Sequence, residues 1–284
     1  QIAGEGFRVL EAHAHRRTLP RGALAGNRFR LVVRGLAGDT AALDERLRLI
    51  AARGVPNYFG PQRFGRAGAN LALIARAAGE VAGSDEVAGS GGAGPQEARQ
   101  ANASAGAGEC GERSVRGGRH GNAAGGFAIS AARSLIFNAV ASRRVAAGSW
   151  ELLLPGDLAN LDGRGSVFTV AEVTAELRAR CAALDLHPTG PLWGRGPVGS
   201  GGAVRALEQE VAEAFAAPCA LAQAAGVLQE RRSLRLPVRE LEWELAGGQL
   251  RLGFFLGRGS FATAVLRELA DTGAGEGTQD AEDA

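Results

Sequence analysis

With 284 residues, 45% hydrophobic and 22% charged side chains and a formal net charge of +2, the chain can bury one substantial core or two modest ones, which excludes the disordered and fibrous classes. Its longest apolar runs, such as Ser130–Ala141, are broken by Arg133 and Asn138 well short of a membrane span. The N-terminus has neither a basic segment leading into an apolar run nor a small-residue cleavage pattern, and Cys110, Cys181 and Cys219 lie far apart outside any Cys-x-x-Cys pair; no secretory signal, disulfide framework or structural zinc site is expected, and a reducing cytoplasm is the simplest setting.

The chain opens at Gln1 inside strand-like sequence and contains no methionine, so a natural start upstream is expected. Phe7–Glu11 and Arg28–Arg34 read as strands, the second through the alternation of Phe29 and Leu31 followed by Val32 and Val33, with Pro20, Gly22 and Gly26-Asn27 supplying turns between them. Asp39 or Thr40 caps a helix whose apolar face is Leu43, Leu47 and Ile50; Gly54 lies just past its end and Pro56 stops it. Asn57, Tyr58 and Phe59 therefore fall on a loop leaving a helix.

From about 83 to 126 the sequence is mostly small and charged residues with almost no large apolar side chain to offset the entropy of ordering, and it is read as a disordered linker. Ser130 is expected to cap a helix reaching about Ala147, and Thr169 with Glu172 forms a capping-box pattern for a helix ending near Leu184. Helical stretches follow at about Val204–Phe215 and Ala220–Glu230. Leu241, Trp243 and Leu245 then alternate with Glu242 and Glu244, Gly247-Gly248 makes a turn, Leu250–Leu256 is a second strand, and Ser260 caps a last helix, Phe261–Leu269. Strands, a helical block and strands again predict an α+β core interrupted by an insertion.

All 32 basic residues are arginine, which points to a GC-rich coding sequence as much as to function. Their distribution says more: residues 1–80 hold 13 Arg against 6 acids, 81–270 hold 19 against 19, and the tail from Asp271 holds 5 acids and no base. A concentrated cationic region is the footprint of a polyanion-binding face, although scattered arginines more commonly form a solvated, salt-bridged surface. Tyr58, the single tyrosine, stands with Phe59, Phe64, Arg63 and Arg66 in one short basic loop. On their own, Tyr58 and Phe59 read as core aromatics and Asn57 as a turn residue; aromatics interleaved with arginines can also stack an unpaired base and hold its phosphates.

The segment Gly54-Val-Pro-Asn-Tyr-Phe-Gly-Pro-Gln-Arg-Phe-Gly65 resembles the signature of the TruD family of tRNA pseudouridine synthases. Gly22-Ala-Leu-Ala-Gly-Asn27 with Phe29, Ser130-Ala-Ala-Arg-Ser134 with Phe137-Asn138, Gly163-Arg-Gly-Ser166, and Gly259-Ser-Phe-Ala-Thr263 with Leu266-Arg-Glu-Leu269 agree with it in order. The resemblance implies an α+β, mixed-sheet catalytic domain (1–80 plus 244–284, with 271–284 a disordered tail) and an inserted, largely helical TRUD domain (81–243). It implies a cytoplasmic isomerase of tRNA processing that converts uridine 13 of tRNA to pseudouridine, with no cofactor or metal, no membrane, tRNA as partner and a monomeric state. Phe59 matches the residue expected to stack on the everted uracil, and Asn57 the residue expected to orient the catalytic aspartate. His15, Arg16 and Arg17 match a basic cluster and, with Tyr58 and Arg63, are the candidate RNA contacts; a solvated charge run is the plainer reading of each arginine.

The family's aspartate lies in a Gly-x-Lys-Asp segment, and this chain has no lysine. Asp39, Asp44, Asp157, Asp162 and Asp185 each have a plainer explanation as a cap, turn or helix-surface residue, so these 284 residues alone are expected to be inert. Two other readings stay open: a catalytically dead RNA-binding protein, and an α+β interaction module with no RNA role. The histidines His13, His120 and His187 lack metal-ligand spacing, and neither a Gly-x-Ser-x-Gly elbow nor a Walker-type loop is present.

Overall fold

The computed structural model describes residues 24–88 and 123–269, together with the two-residue strands β1 (Ala3–Gly4) and β2 (Phe7–Arg8), which pair antiparallel. His15, Arg16, Arg17 and the tail from 271 lie outside the described residues. The first long strand, β3 (Gly26–Val33), leads to helix α1 (Thr40–Arg53), where Asp39 is the cap: its Oδ1 accepts from Ala41 N at 2.8 Å. Gly54 follows at φ 73°, a conformation glycine alone adopts without strain, and a Cβ there would overlap the Leu236 carbonyl. Only after this tight exit can β4 (Val55–Pro56) leave the helix.

Two 3-10 turns, Pro61–Phe64 and Arg66–Gly68, lead into α2 (Ala69–Ala88), and α3 (Ala123–Ala146) follows. Both helices reach into the stretch read as a linker, covering 83–88 and 123–126; residues 89–122 lie outside the described residues. Ser130 is thus not a cap but sits inside α3. The early turns of α3 are held by packing of Ala128, Ala131 and Ala132 against Ile74 and Leu221, which outweighs the cost of Gly125 and Gly126.

Next come β5 (Leu158–Leu161), β6 (Val167–Thr169), α4 (Ala175–Ala182) and β7 (Leu186–Leu192). The capping-box reading at Thr169 is corrected here: Thr169 pairs with Leu158 in the β5–β6 ladder, and Thr174 caps α4 by accepting from Leu177 N. Helices α5 (Gly202–Ala214) and α6 (Ala216–Ala224) precede β8 (Glu230–Ser233) and β9 (Arg235–Leu236). The helix expected to reach Glu230 therefore stops at Ala224. The described residues end with β10 (Arg239–Ala246), β11 (Gln249–Gly257) and α7 (Ala262–Leu269), with Gly247 and Gly248 both at positive φ in the hairpin turn.

The fold is α+β. One antiparallel sheet has the order β10-β11-β3; a second has the order β6-β5-β7-β8; and β4 pairs with β9. Leu250, Leu252, Phe254 and Leu256 alternate onto the buried face of β11, where they pack with Leu47 and Ile50 of α1 and Val265 of α7. Phe29 stacks on Phe254 at 5.4 Å, and Trp243 Nε1 donates to Asp44 Oδ1 at 2.8 Å, tying β10 to α1. Around the second sheet, Ile136 and Val140 of α3 pack on Trp193, Val211 and Cys219.

Two charged clusters replace apolar packing around that sheet. Arg144, near the end of α3, buries its guanidinium against Asp157 at 2.9 Å. His187 is 1% exposed, its Nδ1 accepting from Arg235 Nε (3.1 Å), which leaves Nε2–H to donate to Asp162 Oδ1 (3.0 Å). Asp162 also pairs with Arg239. Burial, reinforced by the Arg235 charge and opposed by Asp185, lowers the His187 pKa from its usual value to about 3. The sign follows: below about pH 6.5 the unfolded chain binds a proton here that the folded chain refuses, so folding stability falls as pH drops toward 3. His187→Gln, which keeps a donor without a titrating ring, is expected to lose less melting temperature between pH 7 and pH 4.5 than the parent; an equal loss would show that His187 does not titrate this way.

Candidate active site

The signature loop begins where β4 ends. Beyond the Val55↔Leu236 and Pro56↔Arg235 pairs, Asn57 N donates to Leu234 O at 2.8 Å, and the Asn57 side chain donates from Nδ2 to Ser233 O at 2.8 Å. Its Oδ1 accepts from Arg232 Nη2 at 2.7 Å. Two residues on, the Asn138 side chain of α3 acts as a substitute strand: Oδ1 accepts from Phe59 N and Nδ2 donates to Phe59 O, both at 2.9 Å. The backbone on either side of Tyr58 is fixed by hydrogen bonds from opposite directions, so the Phe59 ring has one place to go.

That place is a cluster of Phe59, Phe137, Ala141 and Leu234, with Tyr58, Leu192 and Phe261 packed against it. Phe59 meets Phe137 edge-on at 5.5 Å and Phe261 at 6.2 Å. Two guanidinium groups lie over its ring, Arg232 at 4.2 Å and Arg63 at 4.9 Å. The candidate stacking residue is consequently only 5% exposed. Asn57 is likewise buried, with its carbonyl already accepting from Arg232.

Arg232 is the residue that sequence reasoning missed. It lies on β8, where successive side chains face opposite ways: Arg231 goes to a buried bidentate pair with Glu208, and Arg232 to the signature loop. Its Nη1 donates to Gly259 O at 3.1 Å, and its buried Nε–H has no acceptor among the described residues. Burial and the neighbouring Arg63 lower its pKa to about 10. Arg144 and Arg231 are each matched to a carboxylate, whereas among the described residues the hydrogen-bond acceptors of the buried Arg232 cation are a carbonyl and an amide.

Tyr58 points into the same packing, half-buried under the Arg267 guanidinium at 5.1 Å, and burial raises its pKa. Arg63 reaches Ser130 Oγ with Nη1 at 2.8 Å. The five aspartates weighed as substitute nucleophiles are all engaged elsewhere: Asp39 in capping, Asp44 with Trp243 and Arg48, Asp157 with Arg144, Asp162 with His187 and Arg239, and Asp185 with Arg180. Among the described residues no cluster of three or more His, Cys, Asp or Glu could hold a metal ion, and no helix is long and apolar enough to cross a membrane.

The family model described as tRNA pseudouridine synthase D (TruD) matches residues 1–80 and 126–269. The chain belongs to the TruD family. The match passes over 81–125, the stretch containing most of the small-residue region. This TruD chain is 41% identical over 266 residues to the tRNA pseudouridine synthase D of Nitrosococcus oceani, covering 93% of the chain and 64% of that protein. It is 42% identical over 272 residues to that of Pseudomonas aeruginosa strain LESB58, covering 94% and 66%. The chain thus spans just under two thirds of the length of these relatives. A crystal structure of a putative tRNA pseudouridine synthase D from Methanosarcina mazei matches with a TM-score of 0.56 at 19% identity, over 87% of this chain and 69% of that one, which shows the shared fold.

Proposed function

We propose that this TruD chain supplies the base-holding part of a tRNA pseudouridine synthase acting at uridine 13, and that the attacking carboxylate comes from outside these 284 residues. The observation that carries this reading is Arg232: a buried guanidinium with an unused Nε–H, beside Asn57 and over Phe59. A carboxylate arriving there would find a cation to keep it ionised inside a closed site, where burial alone would drive it to its neutral form. Asn57, by accepting from Arg232, holds that cation in place and has one remaining amide N–H to offer the same carboxylate.

In this reading the target uridine leaves its stack and its uracil packs against Phe59. The aspartate, fixed by Arg232 and Asn57, acts on the ribose as nucleophile at C1′ or as base at C2′; uracil detaches, turns and rejoins through C5. No cofactor or metal takes part. The names of the relatives support tRNA as the partner; this reading adds Arg63 and the cluster His15, Arg16 and Arg17 as backbone contacts and a protein that acts as a monomer. The division into 1–80 plus 244–284 and 81–243 belongs to the same proposal, with the RNA entering where the two parts meet.

The test is a pair of proteins: the 284-residue chain, and the same chain fused to the portion of the Pseudomonas aeruginosa relative that it does not cover. The chain alone is expected to bind tRNA with an affinity that falls steeply with salt and to form no pseudouridine, and the fusion to form it at position 13. Isomerisation by the chain alone would refute the external carboxylate. Binding without isomerisation in the fusion would leave the RNA-binding reading, and salt-insensitive or absent tRNA binding would leave the interaction module.

A further inference from the structure

Phe59 cannot receive a base as it stands, because its ring is covered on the sides that are not packed. The covers differ in the elements that carry them. Phe137 is fully buried within α3, and Arg232 is tied to Asn57 and Gly259. Arg63 instead projects from the 3-10 turn Pro61–Phe64, whose Pro61 and Gln62 are exposed, and its guanidinium lies across both Phe59 (4.9 Å) and Phe261 (5.9 Å).

Resting on the function proposed above, we propose that the Arg63 side chain is a placeholder for the base: its planar guanidinium covers Phe59 until an everted uracil displaces it, and it then turns to the RNA phosphates. The geometry favours this exchange in three ways. A guanidinium plane and a pyrimidine plane make comparable contacts with an aromatic face, so one can replace the other with little net change. Arg63 and Arg232 are like charges on one ring, and Arg63 lowers the Arg232 pKa, so its departure toward an anion relieves a repulsion. The backbone need not follow, because Arg63 N donates to Gly60 O and Asn70 Nδ2 donates to Arg63 O, while the side chain is tethered to the Ser130 hydroxyl of α3.

The placeholder predicts opposite effects on two ligands, a pattern that a merely structural arginine would not give. With the 284-residue chain and uridine as the probe, followed by saturation-transfer NMR, Arg63→Ala is expected to bind the nucleoside several-fold more tightly than the parent. The same variant is expected to bind tRNA more weakly, with the slope of log affinity against log salt shallower by about one. Ser130→Ala, which loosens the tether and keeps the charge, should tighten uridine and leave the tRNA salt slope unchanged. Uridine binding that is undetectable, unaltered or weakened in Arg63→Ala overturns the placeholder. If tRNA binding remains steeply salt-dependent in that case, this inference alone fails; if tRNA binding is absent or salt-insensitive, the function on which it rests fails with it.

Discussion

Replacing Asp157 with alanine is expected to lower the melting temperature by roughly 10 °C. Asp157 is fully buried and takes both ends of the Arg144 guanidinium, at 2.9 and 3.1 Å, as well as Leu154 N at 2.7 Å. Removing one partner of a buried pair leaves the other charge with no counter-ion, at a cost of about 3–5 kcal/mol. In a folded unit of this size each kcal/mol shifts the midpoint by roughly 2–4 °C. The Ser149 and Leu152 carbonyls also accept from Arg144, which moderates the loss without neutralising the charge. Circular dichroism melts at neutral pH measure it. The double variant Arg144→Met with Asp157→Leu is expected to recover most of the difference, since an apolar replacement leaves no stranded charge. A single-variant shift below about 3 °C would mean that the pair is not buried as the structure has it.

The second large effect concerns activity and carries the opposite sign in stability. Arg232→Met, made in the fusion described above, is expected to reduce pseudouridine formation by about two to three orders of magnitude, the range seen when a preorganised charge partner of a reacting group is removed. The same substitution is expected to leave the melting temperature unchanged or to raise it. Arg232 has a buried Nε–H with no acceptor and sits beside the like charge of Arg63, so a methionine of similar length removes a desolvation cost while keeping contact with Phe59. A stabilised but inactive protein is what a site held under electrostatic strain gives. Arg232→Met with near-parental isomerisation would remove Arg232 from the mechanism; lost activity together with a large drop in melting temperature would make it a packing residue.

The sequence exposed those elements whose local signal and tertiary role agree. Leu241, Trp243 and Leu245 alternate because β10 has one face on the core, and Gly247-Gly248 marks the hairpin because both residues need positive φ. Asp39 and Gly54 bound α1 by chemistry contained in the segment itself. Where long-range pairing competed, the local signal misled. Thr169 and Glu172 satisfy a capping pattern, but Val170 N is taken by Asp157 O and Val170 O by Gly156 N, which keeps that stretch extended. The glycines at 125 and 126 discouraged a helix that packing against Ile74 and Leu221 supports. In the site, Asn57 and Phe59 stood out because they lie in one continuous motif. Arg232 did not, because it approaches Asn57 across 175 positions and carries no mark that separates it from Arg231 beside it. The burial of Phe59 by two cations was equally hidden, as it depends on where β8 and the 3-10 turn converge.

One residue joins two parts of this arrangement. Leu234, wholly buried, donates its N–H to Pro188 O of β7 and receives the Asn57 N–H on its carbonyl, in the gap between β8 and β9. Together with the Asn57 side-chain bonds to Ser233 O and Arg232 of β8, this residue stitches the four-stranded sheet to the signature loop, and neither can slide past the other without undoing them. The signature loop and the edge of that sheet thus share an anchor, and whatever loosens one loosens the other.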